Sequence, residues 1–419
     1  MFRRFWRDVI LGTIFIMGLM AFVATVVSNL KVFDIFDPIG DAFADMEFTD
    51  VYFSQLLDDP IADQNVVMVN VGLEPRGGIA IMLDSISKYE PAVIGVDLFF
   101  RTQHQDTLGD LMLMEALGRV KDLVLVTKLN QTLHNEDPSE FDTVEWSHPM
   151  FTWNADPAFA NLITDAEVQE DLKMCREFFP QLKTVDGENN MAFAVKMAGY
   201  MDSLKTRKFL DRSNEVEVIN YRGNVLDYGA TKFGNKYYAL DVWDVYDGNF
   251  TPDIIKDKVV IFCFLGEELG DRENFEDKFF TPLNETYVGR AFPDMYGGVV
   301  HANIVSMILN EDYIFYLETW QEYVIMIIGL FINIMMFSWI YKKLPKWYDG
   351  ITKVIQAIEF VGIIYIMIYL MDLYSFKLDL TLLLFAVAIS GDGLEVFYGV
   401  VKNSLSKDGR KELFKVSRL

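Results

Sequence analysis

Residues 66–100 read VVMVNVGLEPRGGIAIMLDSISKYEPAVIGVDLFF (Val66–Phe100). The run Asn65–Val71 (NVVMVNV) is apolar and of strand length, and Glu74, Pro75, Arg76, Gly77 and Gly78 follow it. Ile79, Ala80, Ile81, Met82, Leu83 and Ile86 then recur at helical spacing as far as Lys88–Pro91. Ala92–Val96 (AVIGV) reads as a second buried strand and ends at Asp97. Further on, Leu108–Leu117 has the spacing of an amphipathic helix and Leu123–Thr127 that of a third strand. Strands that are apolar throughout, separated by helices, are the mark of an α/β fold whose mostly parallel sheet is covered on both faces. The pattern predicts a β-α-β-α-β core with flanking helices.

Beyond this core the pattern weakens from about residue 130 to 189, where Pro138, Pro149, Pro157 and Pro180 interrupt it and Trp146 and Trp153 sit among polar residues. An insertion ordered by aromatics is expected there. Met191–Met201 is a further helix, and Val216–Asn220 and Lys258–Phe264 read as strands returning to the sheet. Gly297-Gly298 then opens a helix over Val299–Leu309.

The chain has 419 residues, a formal charge of −24 and 51% hydrophobic residues, with a mean hydropathy of +0.17. So acidic and so apolar a composition fits one chain if the apolar residues are gathered in membrane spans. Four stretches have the required length of about 20 residues. They are placed at 9–30, 319–341, 351–371 and 378–401, with short ends at 1–8 and 402–419 and one large segment at 31–318. Arg3, Arg4 and Arg7, then Lys342, Lys343 and Lys346, then Lys402, Lys407, Arg410, Lys411, Lys415 and Arg418 flank the spans on a single side. Segment 31–318 holds 23 Lys and Arg against 51 Asp and Glu, a net of −28. The positive-inside rule makes the basic side cytoplasmic. The expectation is a multi-pass protein of the bacterial inner membrane with its main domain in the periplasm and an uncleaved first span. A pI near 4.5 argues against nucleic acid as a partner.

Several pieces resemble the CHASE2 domain, an extracytoplasmic sensory module of bacterial receptors. They are Val66–Phe100, INYRG (Ile219–Gly223), KVVIFCFLG (Lys258–Gly266), EDKFFTPL (Glu276–Leu283) and GGVVHANIVSMIL (a stretch ending at Leu309). One span before the domain and three after it is also similar to the family. Two departures stand out: the Trp-Pro-rich segment usual before the arginine is absent, and only about 18 residues follow Val401, too few for the usual cytoplasmic output domain. The resemblance implies a sensor that acts through a separate protein, with a non-catalytic accessory subunit of a cell-envelope complex as the alternative.

Arg76 and Asp97 both follow strands at their carboxyl ends, where open α/β sheets bind ligands. They are expected to hold a ligand's polar group or each other. His301 and Asn303, in the His-Ala-Asn piece, either join that site, with the imidazole reporting pH, or pack locally. The acidic run Glu267, Glu268, Asp271, Glu273, Glu276 and Asp277 lacks the regular pattern of a calcium loop and reads as solvated. The other histidines have no metal-ligand spacing, so no metal is expected. Cys175 and Cys263 either pair in an oxidising periplasm or, as the buried strand around Cys263 favours, stay free. No nucleophile–base–acid set, phosphate loop or HExxH pattern appears, so neither a catalytic residue nor a cofactor is expected. Within the spans, Asn333, Glu359 and Asp392 fall about 12–14 Å from the inner boundary by helical rise, with Gln356 and Glu395 one turn away. Such side chains should face one another or a partner helix, as a switch or as polar glue. The partners expected are membrane lipid, a protein of the inner membrane or periplasm, and a small-molecule ligand.

Overall fold

The computed structural model describes residues 2–29, 48–57, 63–130, 141–164, 174–185, 187–225, 237–270, 277–284 and 292–402. The chain divides into two compact units, Met1–Asp45 with Phe315–Leu419, and Met46–Ile314. The first unit opens with helix α1 (Phe2–Asn29).

The second unit is built on β1 (Val66–Asn70), α2 (Arg76–Ser87), β2 (Val93–Val96), α3 (Thr107–Arg119) and β3 (Leu123–Asn130). β1 and β2 are buried at every position, as strands covered on both faces must be. In α2, Ile79, Met82, Leu83 and Ile86 form one buried stripe at helical spacing. Asp106 caps α3 by accepting from Gly109 N at 3.0 Å. Later elements complete the sheet: β4 (Thr143–Glu145), β5 (Asp156–Phe159), β6 (Tyr238–Leu240) and β7 (Val259–Cys263). Its order is β6-β1-β7-β2-β3, with β4 and β5 both on β3. Every pairing is parallel except β3 with β4.

Two expectations are corrected. Part of the segment read as an insertion belongs to the main sheet, because β4 and β5 extend β3; Trp146 and Trp153 are exposed, and Phe151 and Phe159 supply the buried aromatics. The strand expected at Val216–Asn220 is cut to Glu217–Val218 and pairs with Glu177–Phe178 outside the sheet. Arg212, which donates to Glu217 at 2.8 Å and lays its guanidinium over the Tyr313 ring, ties it there.

One face of the sheet carries α2, α3 and α5 (Val242–Asp247), after α4 (Phe193–Met201) has crossed the other face, where it meets α6 (Gly297–Asn310). Val67, Val69, Ile94, Val96, Val260 and Phe262 point into the first layer with Ile79, Leu83 and Leu113. Full burial of each such side chain contributes about 2 kcal/mol. On the other side a Cβ at Gly95 would meet Phe193 and Met197, so glycine lets α4 lie close to β2.

Among the described residues four helical segments are long and apolar enough to cross a membrane: Arg3–Thr25, Thr319–Lys343, Pro345–Tyr374 and Thr381–Gly399. The last three contain α7 (Thr319–Lys343), α8 (Tyr348–Tyr374) and α9 (Thr381–Val396). Helices α1, α7 and α9 pack together and α8 lies against α9. Small residues set the crossings: a Cβ at Gly12 would stand 3.1 Å from Ile334 and 3.2 Å from Leu394, and one at Gly329 2.6 Å from Leu383. Lys342 donates to Asp8 at 2.8 Å, joining α7 to α1.

Candidate functional site

Strand β7 lies between β1 and β2. The chain leaves β1 and β2 toward α2 and α3 on one face, and leaves β7 toward α6 on the other. Neighbouring strands whose exits go to opposite faces open a crevice at their carboxyl ends, the usual place for ligands in open α/β sheets. Two such crevices flank β7.

The crevice between β7 and β2 is acidic. Asp97 donates its backbone N–H to Phe262 O at 2.8 Å and places its carboxyl group on the α6 side. Burial, and then the negative charge of Asp277, push the Asp97 carboxyl up to about 8. The Cys263 thiol is pushed well above its ordinary value by burial and then by Asp97 and Asp277. Gly297 and Gly298 make room for these groups. A Cβ at Gly297 would be 3.2 Å from Asp277 Oδ2, and one at Gly298 would be 2.5 Å from Cys263 Sγ. Cys175 and Cys263 are both buried and are not joined by a disulfide.

The crevice between β1 and β7 opens into a cleft of about 540 Å³. Leu73 and Glu74 come to it from the loop after β1, Glu267–Gly270 from the loop after β7, and Asp241, Val242 and Trp243 from the start of α5. Asn70, buried at the end of β1, ties the three together. Its Oδ1 accepts from Leu265 N at 2.8 Å and Gly72 N at 3.1 Å. Its Nδ2 donates to Asp241 Oδ1 at 2.9 Å and Gly266 O at 3.1 Å. Asp241 also accepts from Leu269 N at 3.1 Å. Gly72 has φ +50, and a Cβ there would be 2.9 Å from Glu267 O, so a side chain is excluded twice over. The one sequence signal of this arrangement is Asn70, a polar residue closing an apolar strand.

Arg76 does not reach Asp97. It begins α2 on the opposite face, where Nη1 donates to Asp110 Oδ1 at 2.5 Å and the guanidinium lies 5.1 Å from the Phe151 ring centroid. Asp110 Oδ2 also accepts from His104 N at 2.7 Å. Burial works to raise the Asp110 carboxyl, but the Arg76 hydrogen bond and then the His104 N–H outweigh it and hold it below the usual carboxylate range.

His301 is buried edge-on to Phe193 at 5.3 Å, and among the described residues its Nδ1 meets no hydrogen-bond partner. Burial lowers it to about 4, partly offset by the Ala160 backbone, so it stays neutral near pH 7. Asn303 spends its amide on local structure. Its Oδ1 accepts from Arg222 N at 2.8 Å, Gly223 N at 3.2 Å and Tyr237 OH at 3.2 Å, and its Nδ2 donates to Gly223 O and Val299 O, both at 2.9 Å. The Thr-Pro turn is likewise structural: Thr281 donates through N at 2.9 Å and Oγ1 at 2.6 Å to the buried Asp294. Burial lifts Asp294 to about 7 despite these bonds.

Of the acidic run, Glu267 and Glu268 line the cleft and Asp277 faces Asp97, while Asp271, Glu273 and Glu276 lie outside the described residues. Among the described residues no group of three or more His, Cys, Asp or Glu side chains is placed to hold a metal ion.

The membrane layer separates into two parts. Asn333, buried on α7, lies beside the half-buried Glu359 of α8, and Asn333 Oδ1 and Glu359 Oε2 meet no hydrogen-bond partner among the described residues. Asp392 points outward on α9 and accepts from Lys353 Nζ at 2.7 Å, and Glu395 is exposed. Gln356 turns inward and donates to Val387 O at 2.6 Å. Rise fixes a side chain's depth, but rotation about the helix axis decides what it faces. The buried positions of α9 are Leu383, Ala386, Val387, Ser390, Gly391, Gly393 and Leu394, which puts Asp392 on the outer side.

A family model described as CHASE2 domain matches residues 62–336. No curated protein matches the chain. No solved structure matches it either.

Proposed function

The chain belongs to the CHASE2 family, and from that membership we propose that it is a receptor of the bacterial inner membrane whose periplasmic domain binds a small molecule at the carboxyl edge of its sheet. CHASE2 is an extracytoplasmic sensory domain, not a catalytic one, and the four apolar helices make the chain a membrane protein in contact with lipid. The observation that carries the ligand reading is the cleft of about 540 Å³ beside β7. That size lies in the range of small-molecule sites, and the position is the one where open sheets take ligands. The basic flanks of the spans support the periplasmic placement. The signal passes through the helix bundle to a separate protein, with the Asn333–Glu359 pair in its interior as the coupling element.

Thermal unfolding of the full chain in lipid nanodiscs, read against a library of small molecules, tests this. A raised midpoint that disappears when the cleft is altered at Trp243 is the expected result. A library without any shift, together with stoichiometric co-purification with other envelope proteins, would sink it. That outcome is the second reading, an accessory subunit, which the exposed Trp146 and Trp153 favour as docking groups.

A further inference from the structure

The cleft between β1 and β7 presents four carboxylates, Glu74, Asp241, Glu267 and Glu268, around the indole of Trp243. Among the described residues none of the four has a Lys or Arg partner within 4.0 Å, although twelve other such pairs occur. Their contacts are with neutral donors. Tyr246 OH donates to Glu74, and Asn70 Nδ2, Val242 N and Leu269 N donate to Asp241. These bonds fix Glu74 and Asp241 in position without compensating their charge, and Glu267 and Glu268 are exposed beside them.

Trp243 is 65% exposed, and its ring is held edge-on by Tyr246 at 5.8 Å. Since Tyr246 is itself held by Glu74, the aromatic wall and the acids form one connected, pre-set surface. An exposed indole face beside uncompensated carboxylates attracts a cation through its quadrupole as well as by charge. A metal ion is a poor fit, because no three acidic, His or Cys side chains among the described residues converge on one point. Carboxylates spread around a cleft of about 540 Å³ match an ion with its own length and apolar surface. The surrounding segment 31–318, with its net charge of −28, steers cations inward and anions away.

We infer that this cleft binds a small organic cation, an alkylammonium or diammonium compound, with its charged nitrogen against Trp243 and the surrounding carboxylates. The inference rests on the reading that the cleft is the domain's ligand site.

The test is calorimetric titration of the full chain in nanodiscs with tetramethylammonium and putrescine as probes, and tert-butanol, succinate and magnesium as comparators. The ammonium probes bind, and the comparators do not. Trp243→Ala weakens the ammonium probes about tenfold, as does the pair Glu267→Gln with Glu268→Gln, and Trp243→Phe restores part of the loss. All three positions are exposed, so the variants fold. No ammonium binding overturns the inference. Binding of succinate or tert-butanol that the same variants abolish overturns the cation and keeps the cleft. Ammonium binding indifferent to the variants overturns the cleft reading itself, and magnesium binding as tightly as putrescine overturns the organic class.

Discussion

Arg76 and Asp97 stand on opposite faces of the sheet, and Arg76 is bound to Asp110 instead, at 2.5 Å. Asp110 is the buried member of that pair, and it also holds the backbone N–H of His104. Asp110→Ala is therefore expected to lower stability by about 2 kcal/mol, the range for a buried charge-assisted hydrogen bond. Because the Asp110 carboxyl is held below its ordinary value, this contribution is present above the ordinary carboxylate range and is lost as the pH falls below it. Denaturant titration at pH 7 and in mild acid measures both effects. An Asp97→Ala variant as unstable as Asp110→Ala at pH 7 would contradict the assignment.

Asp97 itself behaves in the opposite sense. Its carboxyl is raised from 3.8 to about 8, so between those values the folded chain binds a proton that the unfolded chain has released. Stability from this group is full below the lower value and declines as the pH climbs to about 8. Asp97→Asn should flatten that decline and gain most at alkaline pH. Asp294, raised to about 7, adds a decline of the same sign and remains in the variant. Melting temperatures at half-unit pH steps provide the comparison.

Asn303 answers five backbone and side-chain groups with one amide. Asn303→Ala leaves buried donors at Arg222, Gly223 and Tyr237 without an acceptor, and a loss of about 3 kcal/mol is expected. Asn303→Asp keeps the acceptor and loses only the two donated bonds, so it should fall between. The order of the three denaturation midpoints decides the point.

Gly298→Ala separates packing from helix propensity. Alanine inside a helix is ordinarily favoured over glycine by about 1 kcal/mol. Here its Cβ would stand 2.5 Å from Cys263 Sγ and 2.6 Å from Cys263 Cβ, so a loss of about 1–3 kcal/mol is expected. Cys263→Gly should rescue it and Cys263→Ala should not, because the second contact survives. A stabilised Gly298→Ala variant would refute the close approach of α6 to β7.

Sidedness can be read with thiol reagents. Both native cysteines are buried, so new exposed ones report alone. Trp153→Cys should react in intact spheroplasts, and Trp347→Cys only after permeabilisation; both side chains are exposed. The reverse pattern would place the acidic segment in the cytoplasm.

The parallel core was legible because each of its first three strands is a local run of Val, Ile and Leu. Three-residue β6 was not, since Tyr238, Ala239 and Leu240 make no such run and are held at the edge by β1 alone. The candidate site was legible only as strand ends. Asp97 and Arg76 follow strands as read, but the face each occupies depends on where β7 inserts. Trp243, Asp241 and Glu74 come from segments far apart, joined by Asn70, and no local pattern announces them. In the membrane, depth was readable from the rise per residue, which brought Asn333 and Glu359 together. Rotation was not, and it turns Asp392 and Glu395 outward.

The insertion of β7 also has a bearing on biogenesis. Two early strands must wait, with an empty lane between them, for a segment that leaves the ribosome much later: Leu265 lies 195 residues after the Asn70 it binds. The domain cannot close its sheet while only its first half has been made. Its centre closes last and folding is slow, as such distant pairings dictate.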